Sequence, residues 1–221
     1  MITSPANEKL KLVRKLQSQL WREKLGLFVA EGEDLVEASR SSGLQPVELL
    51  VAGENVVPEL LAAVSDLPHP PRVAAVYRRA DLPRNNLPLG VALWRVADPG
   101  NVGAVVRTAG AFGASVALSP GCADPTSPRA LRASAGAIFR VPIGGFDDAP
   151  GRRIALVAHG GSPLTDVDLT APLTFVLGAE REGLPDEVVA QCDEAATIPI
   201  SGEVESLNVA AAAAIALYQA S

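Results

Sequence analysis

The stretch Val91-Ala-Leu-Trp94, followed closely by Asp98-Pro-Gly-Asn101, decides the fold class of this 221-residue chain. An apolar run without polar alternation is typical of a strand that is buried on both faces of a parallel sheet. The Asp-Pro-Gly sequence favours a turn, and the residues that follow predict a helix over Val102–Phe112. The stretch therefore predicts a strand, a turn and a helix, which is the repeating unit of an α/β domain.

The same alternation continues to the C-terminus. Three further apolar runs predict buried strands at Ser115–Leu118, Ile154–Ala158 and Leu173–Leu177. Three more helices are predicted at Arg129–Ala135, Asp186–Gln191 and Glu205–Ala220. Residues 85–221 are therefore expected to form one α/β domain with a parallel sheet covered by helices on both faces.

The first 84 residues predict a smaller α/β domain. Between Asn7 and Leu25 the apolar residues have helical spacing, with basic residues on the opposite side; the apolar positions are Leu10, Val13, Leu16, Leu20 and Trp21. Strands and helices then alternate at Leu27–Ala30, Glu33–Ser41, Val47–Val51, Val57–Val64 and Val73–Tyr77. The polar, turn-rich segment Asp81–Pro88 predicts a linker, so we expect domains at 1–84 and 85–221.

Composition restricts the class of protein. Hydrophobic residues make up 48% and charged residues 20% of the chain, which is typical of a compact soluble protein. Cys122 and Cys192 lack paired spacing, and His69 and His159 are far apart, so no metal site is expected. The N-terminus has no export signal, and the longest apolar run, Val209–Tyr218, is too short to span a bilayer. We therefore expect a cytoplasmic protein without a membrane partner.

The net charge of −6 is unevenly distributed. Residues 1–84 are neutral overall, so the whole imbalance lies in residues 85–221, and every lysine lies within the first 24 residues. The basic face of the first helix, with Lys9, Lys11 and Arg14, is either a solvated surface or a contact surface for RNA phosphates. The sequence leaves both interpretations open.

Two further segments place glycines and polar residues where a predicted strand meets a helix. They are Leu177-Gly-Ala-Glu-Arg-Glu-Gly-Leu-Pro185 and Ile198-Pro-Ile-Ser-Gly-Glu-Val-Glu-Ser-Leu-Asn-Val209. Ligand sites of α/β proteins are built at such junctions. Each segment alone is compatible with an ordinary loop, and the chain has neither a GxGxxG nor a GxxxxGK[ST] signature of nucleotide sites.

Together with Asp98–Ala109, and in this order, these segments resemble the three signature motifs of the SpoU (TrmH-like) branch of the SPOUT RNA methyltransferases. The resemblance is strong over residues 90–220. It implies transfer of a methyl group from S-adenosylmethionine to a ribose 2′-hydroxyl, without a metal. It also implies a deep trefoil knot and a homodimer that pairs through the knot region.

The resemblance assigns site residues one by one. The catalytic positions are Asn101, Arg107, Glu180, Ser206 and Asn208. The cofactor-binding positions are Leu177, Gly178, Ile198, Ile200, Ser206 and Leu207. Asn101 and Arg107 are six residues apart on one predicted helix, so both could face one cleft. The resemblance implies that Arg107 activates the ribose hydroxyl, either as the base, although a guanidinium does not readily give up a proton, or by holding a substrate phosphate that favours the alkoxide electrostatically.

The chain departs from the family pattern at Arg181, where a glycine is common. Residues 8–85 more weakly resemble the ribosomal-protein-like domain of members that modify ribosomal RNA, so ribosomal RNA is the preferred substrate. In the C-terminal domain, Arg129, Arg132 and Arg140 are either RNA phosphate contacts or plain surface arginines. A transfer RNA methyltransferase and a non-catalytic RNA-binding or assembly factor remain as alternatives.

Overall fold

The structure is a computed structural model that describes residues 1–65, 67, 69–180, 182–202 and 206–221. Its strands form two separate sheets, one of three strands and one of seven. The segment between them, residues 82–88, has no helix or strand. In the described parts of the chain, no helix combines the length and the apolar character that a membrane span requires.

The three-stranded sheet is antiparallel and belongs to the first 78 residues. Its strands are β1 (Leu27–Glu31), β2 (Glu48–Val51) and β3 (Val73–Arg78), with β3 in the centre. The helices around it are α1 (Glu8–Leu16), α2 (Gln19–Leu25), α3 (Glu33–Ser41) and α4 (Pro58–Ala62). Each predicted strand and helix of this region is present within a few residues of its predicted bounds.

The apolar spacing between Asn7 and Leu25 predicts the buried face correctly for α1 but not for α2. The helical path breaks between α1 and α2 because Ser18 has an extended backbone. Leu20, expected in the core, is 67% exposed, whereas Arg22, expected on the basic face, is only 3% exposed. The break turns α2 about its axis relative to α1, so a single helical period does not describe both helices.

The seven-stranded sheet is parallel throughout, as predicted. Its strands are β4 (Leu89–Leu93), β5 (Ser115–Leu118), β6 (Ile143–Gly145), β7 (Arg152–Leu156), β8 (Ser162–Pro163), β9 (Leu173–Leu177) and β10 (Glu194–Thr197). They are arranged in the order β6-β5-β4-β9-β7-β10-β8. Strands β6, β8 and β10 were not predicted, because they are short and carry few β-branched or aromatic residues.

Four helices accompany this sheet: α5 (Pro99–Ala111), α6 (Pro128–Ser134), α7 (Asp186–Val189) and α8 (Val209–Ala220). The prediction that α8 begins at Glu205 is wrong, and Glu205 itself lies outside the described residues. The helix begins at Val209 because Asn208 caps it: its side-chain oxygen accepts a hydrogen bond from the Ala210 N–H at 2.9 Å.

The main core lies between the sheet and helices α5 and α8. Gly103 allows α6 to pack directly on α5, because a Cβ at this position would lie 2.3 Å from the Ala130 carbonyl oxygen. The opposite face of the sheet carries a smaller cluster around Ala92, Phe146 and Val176. Both faces of the sheet are therefore covered, and the face that packs against α5 and α8 carries the larger hydrophobic cluster.

The two sheets are joined by a shared aromatic cluster. The ring centre of Phe139, from the parallel-sheet region, lies 5.2 Å from that of Tyr77 and 6.2 Å from that of Phe28. All three side chains are buried. Burial of this much aromatic surface fixes the N-terminal region against the region of α6.

A buried ion cluster lies at the same boundary. The Arg22 Nε donates to Asp124 Oδ2 at 2.7 Å, and both side chains are only 4% exposed. Arg79 reaches Asp124 Oδ1 at 3.1 Å, and Thr126 donates to the same oxygen through its N–H and its hydroxyl. Burial raises the pKa of Asp124, but the Thr126 and Arg22 hydrogen bonds and the charge of Arg79 outweigh burial and hold it below the ordinary 3.8.

Candidate active site

Three segments at the carboxyl edge of the parallel sheet enclose a cavity of about 370 Å³. The first follows β7 and includes Leu156–His159. The second follows β9 and includes Leu177–Glu180. The third comprises Ile198 and Ile200 together with Ser206, Leu207 and the first turn of α8. The volume of the cavity lies within the range of small-molecule sites. The carboxyl edge of the sheet is also the usual place for ligands of α/β proteins.

All six sequence-predicted cofactor positions line this cavity: Leu177, Gly178, Ile198, Ile200, Ser206 and Leu207. Of the predicted catalytic residues, Glu180 lines it as well. The sequence reasoning missed the segment after β7, which contributes Val157, Ala158 and His159. Strand β7 was predicted, and its C-terminal end in a parallel sheet was the signal that could have identified these residues.

One residue from each of the three motifs joins a continuous hydrogen-bonded chain. The Asn208 Nδ2 donates to Asn101 Oδ1 at 3.1 Å, and the Asn101 Nδ2 donates to Glu180 Oε1. Asn208 and Asn101 are 107 positions apart in the sequence, and Asn101 and Glu180 are 79 positions apart. The oxygen and the nitrogen of each side-chain amide both form a hydrogen bond, because the Asn208 oxygen also caps α8. The chain of hydrogen bonds therefore fixes the orientation of the Glu180 carboxylate.

The start of α5 holds Asn101 in this chain. Asp98 caps the helix by accepting the Asn101 N–H at 3.0 Å, and Pro99 occupies the first turn, where its missing N–H costs nothing. The second oxygen of Asp98 pairs with Arg129 Nη2 at 2.9 Å. Arg129, predicted to contact RNA, therefore has an intramolecular partner that braces the turn.

Gly178 lines the cavity, and its lack of a side chain also serves the loop that follows it. In the structure the close neighbour is the loop itself, because a Cβ at Gly178 would lie 2.1 Å from the carbonyl group of Gly183 and 2.5 Å from the Leu184 nitrogen. The Gly183 N–H also donates to the Ala179 carbonyl at 2.9 Å. Gly178 thus allows this loop to fold into the wall of the cavity.

Arg107 is not brought into this cluster. It is exposed on α5, does not line the cavity, and forms no hydrogen bond or ion pair within the described chain. Six helical residues place it about 120° around the helix from Asn101, so the two side chains leave on different faces. Arg107 and Asn101 therefore do not face one cleft in this structure. Ser206 lies at the cavity, but no hydrogen bond of its side chain is present among the described residues.

The basic residues predicted to contact RNA are exposed, and two lysines have acidic partners in addition to Arg129. Lys9 pairs with Glu48 at 2.6 Å and Lys11 with Glu8 at 2.7 Å. Arg14, Arg132 and Arg140 are exposed and form no ion pair with the described residues. Surface pairs are weak, so none of these contacts prevents a lysine from meeting a phosphate.

Arg181, the position at which the chain departs from the family pattern, lies outside the described residues. Among the residues that are described, no group of three or more histidine, cysteine, aspartate or glutamate side chains comes together as a metal site would require.

Residues 88–218 match the sequence profile of the SpoU rRNA Methylase family, which is more than half of the chain. The chain belongs to the SpoU rRNA methylase family. The matched residues include all three motifs and all seven strands of the parallel sheet, β4 to β10.

Relatives of this SpoU-family protein extend over its full length. It is 30% identical over 241 residues to the 23S rRNA (guanosine(2553)-2′-O)-methyltransferase RlmP of Bacillus subtilis, covering 98% of this chain and 97% of that one. The structure of an AdoMet-bound rRNA methyltransferase from Sinorhizobium meliloti is similar with a TM-score of 0.86, at 28% identity and 99% and 96% coverage. The SpoU methyltransferase AviRb from Streptomyces viridochromogenes, in complex with AdoMet, matches with a TM-score of 0.86, at 25% identity and 97% coverage of both chains.

Proposed function

We propose that this SpoU-family protein transfers a methyl group from S-adenosylmethionine to a ribose 2′-hydroxyl of ribosomal RNA. The observation that carries the proposal is the chain from Asn208 through Asn101 to Glu180, which joins the three motifs beside the cavity. The Glu180 carboxylate accepts a hydrogen bond from the Asn101 side chain and lies beside a cavity of ligand size. Such a carboxylate is placed to orient a reacting hydroxyl group. Full-length similarity to RlmP and to AdoMet-bound rRNA methyltransferases supports the same assignment.

The cavity lining fits this cofactor. Ile198, Ile200 and Leu207 offer apolar surface for a flat adenine, and the loop after Leu177 exposes backbone groups for polar contacts. S-adenosylmethionine supplies an activated methyl group on a sulfonium. When bound, the cofactor would give its methyl group to the ribose oxygen: the carbon–sulfur electron pair would stay on sulfur as a neutral thioether, and the 2′-hydroxyl proton would pass to solvent.

We assign the protein's own contribution to positioning and electrostatics. Asn101 and Glu180 orient the ribose, Asn208 holds Asn101 in place, and Ser206 adds a polar side chain to the cavity. Arg107 contributes through a substrate phosphate, which its exposed guanidinium is free to bind because no carboxylate of the described chain neutralises it. A phosphate held there lowers the cost of forming the alkoxide.

We propose ribosomal RNA rather than transfer RNA, because the similarity to RlmP extends over both regions of the chain. A cytoplasmic location follows, since ribosomes work there. In this proposal residues 1–84 form the RNA-binding domain and residues 85–221 the methyltransferase domain. The change from an antiparallel to a parallel sheet on either side of residues 82–88 supports that boundary.

We also propose a homodimer that pairs through α5 and α8. Tyr218 and Ile215 are 70% and 41% exposed on α8, and the Tyr218 ring lies 6.4 Å from that of Phe112 at the end of α5. Exposed apolar residues grouped on two packed helices are typical of a surface that a second copy covers.

The trefoil knot belongs to the same proposal. Strand β9 lies in the middle of the sheet, and α8 returns to pack on α5. The loop that follows β9 lines the same cavity as Ile198, Ile200, Ser206 and Leu207. An experimental structure in which the last helix does not pass through that loop would contradict the knot.

The experiment that tests the function is transfer of labelled methyl groups into ribosomal and transfer RNA from cells that lack this gene. Label recovered as a 2′-O-methyl nucleoside in ribosomal RNA is the expected result, and Arg107→Ala should abolish it while cofactor binding persists. Arg40→Ala is the matched control and should remain active, because Arg40 is a surface arginine of α3 that pairs with Glu37 and does not line the cavity.

The two alternatives give different outcomes. Label only in transfer RNA would make the protein a transfer RNA methyltransferase. Absence of both label and cofactor binding would indicate a non-catalytic RNA-binding factor and would refute the proposal.

A further inference from the structure

Trp21 lies in a basic surface groove on the α1–α2 hairpin. The groove has a volume of about 380 Å³ and is lined by Lys11, Arg14, Lys15, Ser18 and Trp21. The ammonium groups of Lys15 and Lys24 each lie 4.9 Å from the centre of the Trp21 ring. A flat aromatic ring is thus held between cations at the protein surface.

Trp21 does not serve the core in the way that its spacing predicts. The apolar face of α1 is buried through Leu10, Val13 and Leu16, but Trp21 belongs to none of the hydrophobic clusters formed by the described residues. Its nearest charged neighbours are lysines, and it remains partly accessible. The ring is therefore available to a ligand.

The charges of the groove indicate what kind of ligand fits. Lys11 is neutralised by Glu8, but Arg14, Lys15 and Lys24 form no ion pair with any described residue. Unneutralised cations beside an aromatic ring match a ligand that carries both anionic groups and flat rings. Single-stranded RNA has this combination, because its phosphates need cations and its unpaired bases stack on aromatic side chains.

We propose that an unpaired base of the RNA substrate stacks on Trp21 while Arg14, Lys15 and Lys24 bind the flanking phosphates. The inference rests on the proposed function, for which it names the element of RNA structure that is recognised. An exposed cation–π contact is weaker than stacking of a base on an aromatic ring. A base can therefore displace a lysine from the ring, and the released ammonium group pairs with a phosphate.

The neighbour of Trp21 in the sequence fixes where this site lies. Arg22 is anchored to Asp124, which belongs to the loop that leaves β5 at the carboxyl edge of the parallel sheet. The turn that carries Asn101 leaves the adjacent, parallel strand β4 at the same edge. Trp21 is thereby held on the side of the molecule where the candidate active site opens.

The test measures binding of an unstructured RNA of about ten nucleotides, the length that one such groove contacts. Trp21→Ala should weaken binding by roughly 5- to 150-fold, the fold-change equivalent to 1–3 kcal/mol of stacking. The dependence of affinity on salt should not change, because no charge is removed. Lys15→Ala should instead reduce the salt slope by about 0.7, since one phosphate contact is lost.

Leu20→Ala is the matched control, because Leu20 is an adjacent, exposed apolar residue outside the groove, and it should bind like the wild type. A second measurement uses the unsubstituted protein. RNA carrying 5-iodouridine, which crosslinks to aromatic side chains, should label the tryptic peptide of residues 16–22. This peptide contains Trp21 but not Trp94, the other tryptophan of the chain.

The outcomes separate this inference from the proposed function. Wild-type affinity of Trp21→Ala, or no crosslink on residues 16–22, overturns the inference even if methyl transfer to ribosomal RNA is observed. A crosslink at Trp21 together with the expected loss of affinity supports it, whether or not methyl transfer is detected.

Discussion

Substitution of Asp124 by asparagine should destabilise the protein far more than an ordinary loss of one surface charge. Asp124 is the only carboxylate that the described contacts place against Arg22, and both side chains are 4% exposed. In Asp124→Asn, Arg22 keeps the Leu16 and Gln17 carbonyls at 2.9 Å but loses its counter-charge. Removing one partner of a buried pair costs about 3–5 kcal/mol, and we expect a loss in free energy of unfolding of that size.

The assay is urea unfolding at pH 7, where the midpoint should fall by about 1 M or more. Asp168→Asn is the matched control. Asp168 has the same contacts from a threonine two residues later, at 2.9 and 2.6 Å, but its side chain is 69% exposed. Little change is expected for this variant, because solvent screens an exposed pair.

The pH dependence gives the prediction a second test. The pKa of Asp124 is lowered in the folded protein, so its stabilising contribution is fully present above the unfolded-state value of about 3.9 and is lost as the pH falls through the folded-state pKa. The difference between wild type and Asp124→Asn should therefore shrink in acid. A loss below about 1 kcal/mol at pH 7, or a difference that persists unchanged in acid, would refute the role of this ion pair.

Three other predictions concern the site and the assembly. Gly178→Ala should abolish measurable cofactor binding in calorimetry, because its Cβ would overlap the facing backbone, whereas Gly144→Ala, with its nearest neighbour at 3.8 Å, should bind normally. Asn101→Asp should lower the rate of methyl transfer by about 100-fold with cofactor affinity retained, because it places a second carboxylate against Glu180. Tyr218→Lys should shift the protein from dimer to monomer in analytical ultracentrifugation, and an unchanged sedimentation coefficient would exclude α8 from the interface.

The fold could be predicted where its elements are long and apolar. The runs at Val91 and Leu173 identified β4 and β9, and their lack of polar alternation indicated a parallel sheet. Strands β6 and β8 could not be found in this way, because Ile-Gly-Gly and Ser-Pro have little intrinsic preference for a strand. Their conformation depends on pairing with β5 and β10.

The candidate site was predicted by resemblance, not by spacing. Nothing in the local sequence brings Asn101 to Glu180 or to Asn208, because the hydrogen bonds between them join segments that only the sheet order makes adjacent. The contact between Gly178 and the facing loop backbone could not be predicted for the same reason, since that backbone becomes a neighbour only on folding.

The sequence by itself determined the α/β class, the parallel sheet and the family, because these follow from hydrophobic runs and from motifs that are contiguous in the chain. Only the tertiary structure decided the positions of Arg22 and Trp21. Helical spacing assigned Trp21 to the core and Arg22 to the surface, but the break at Ser18 turned α2. A carboxylate about 100 positions away then made burial of Arg22 possible, which no local pattern could indicate.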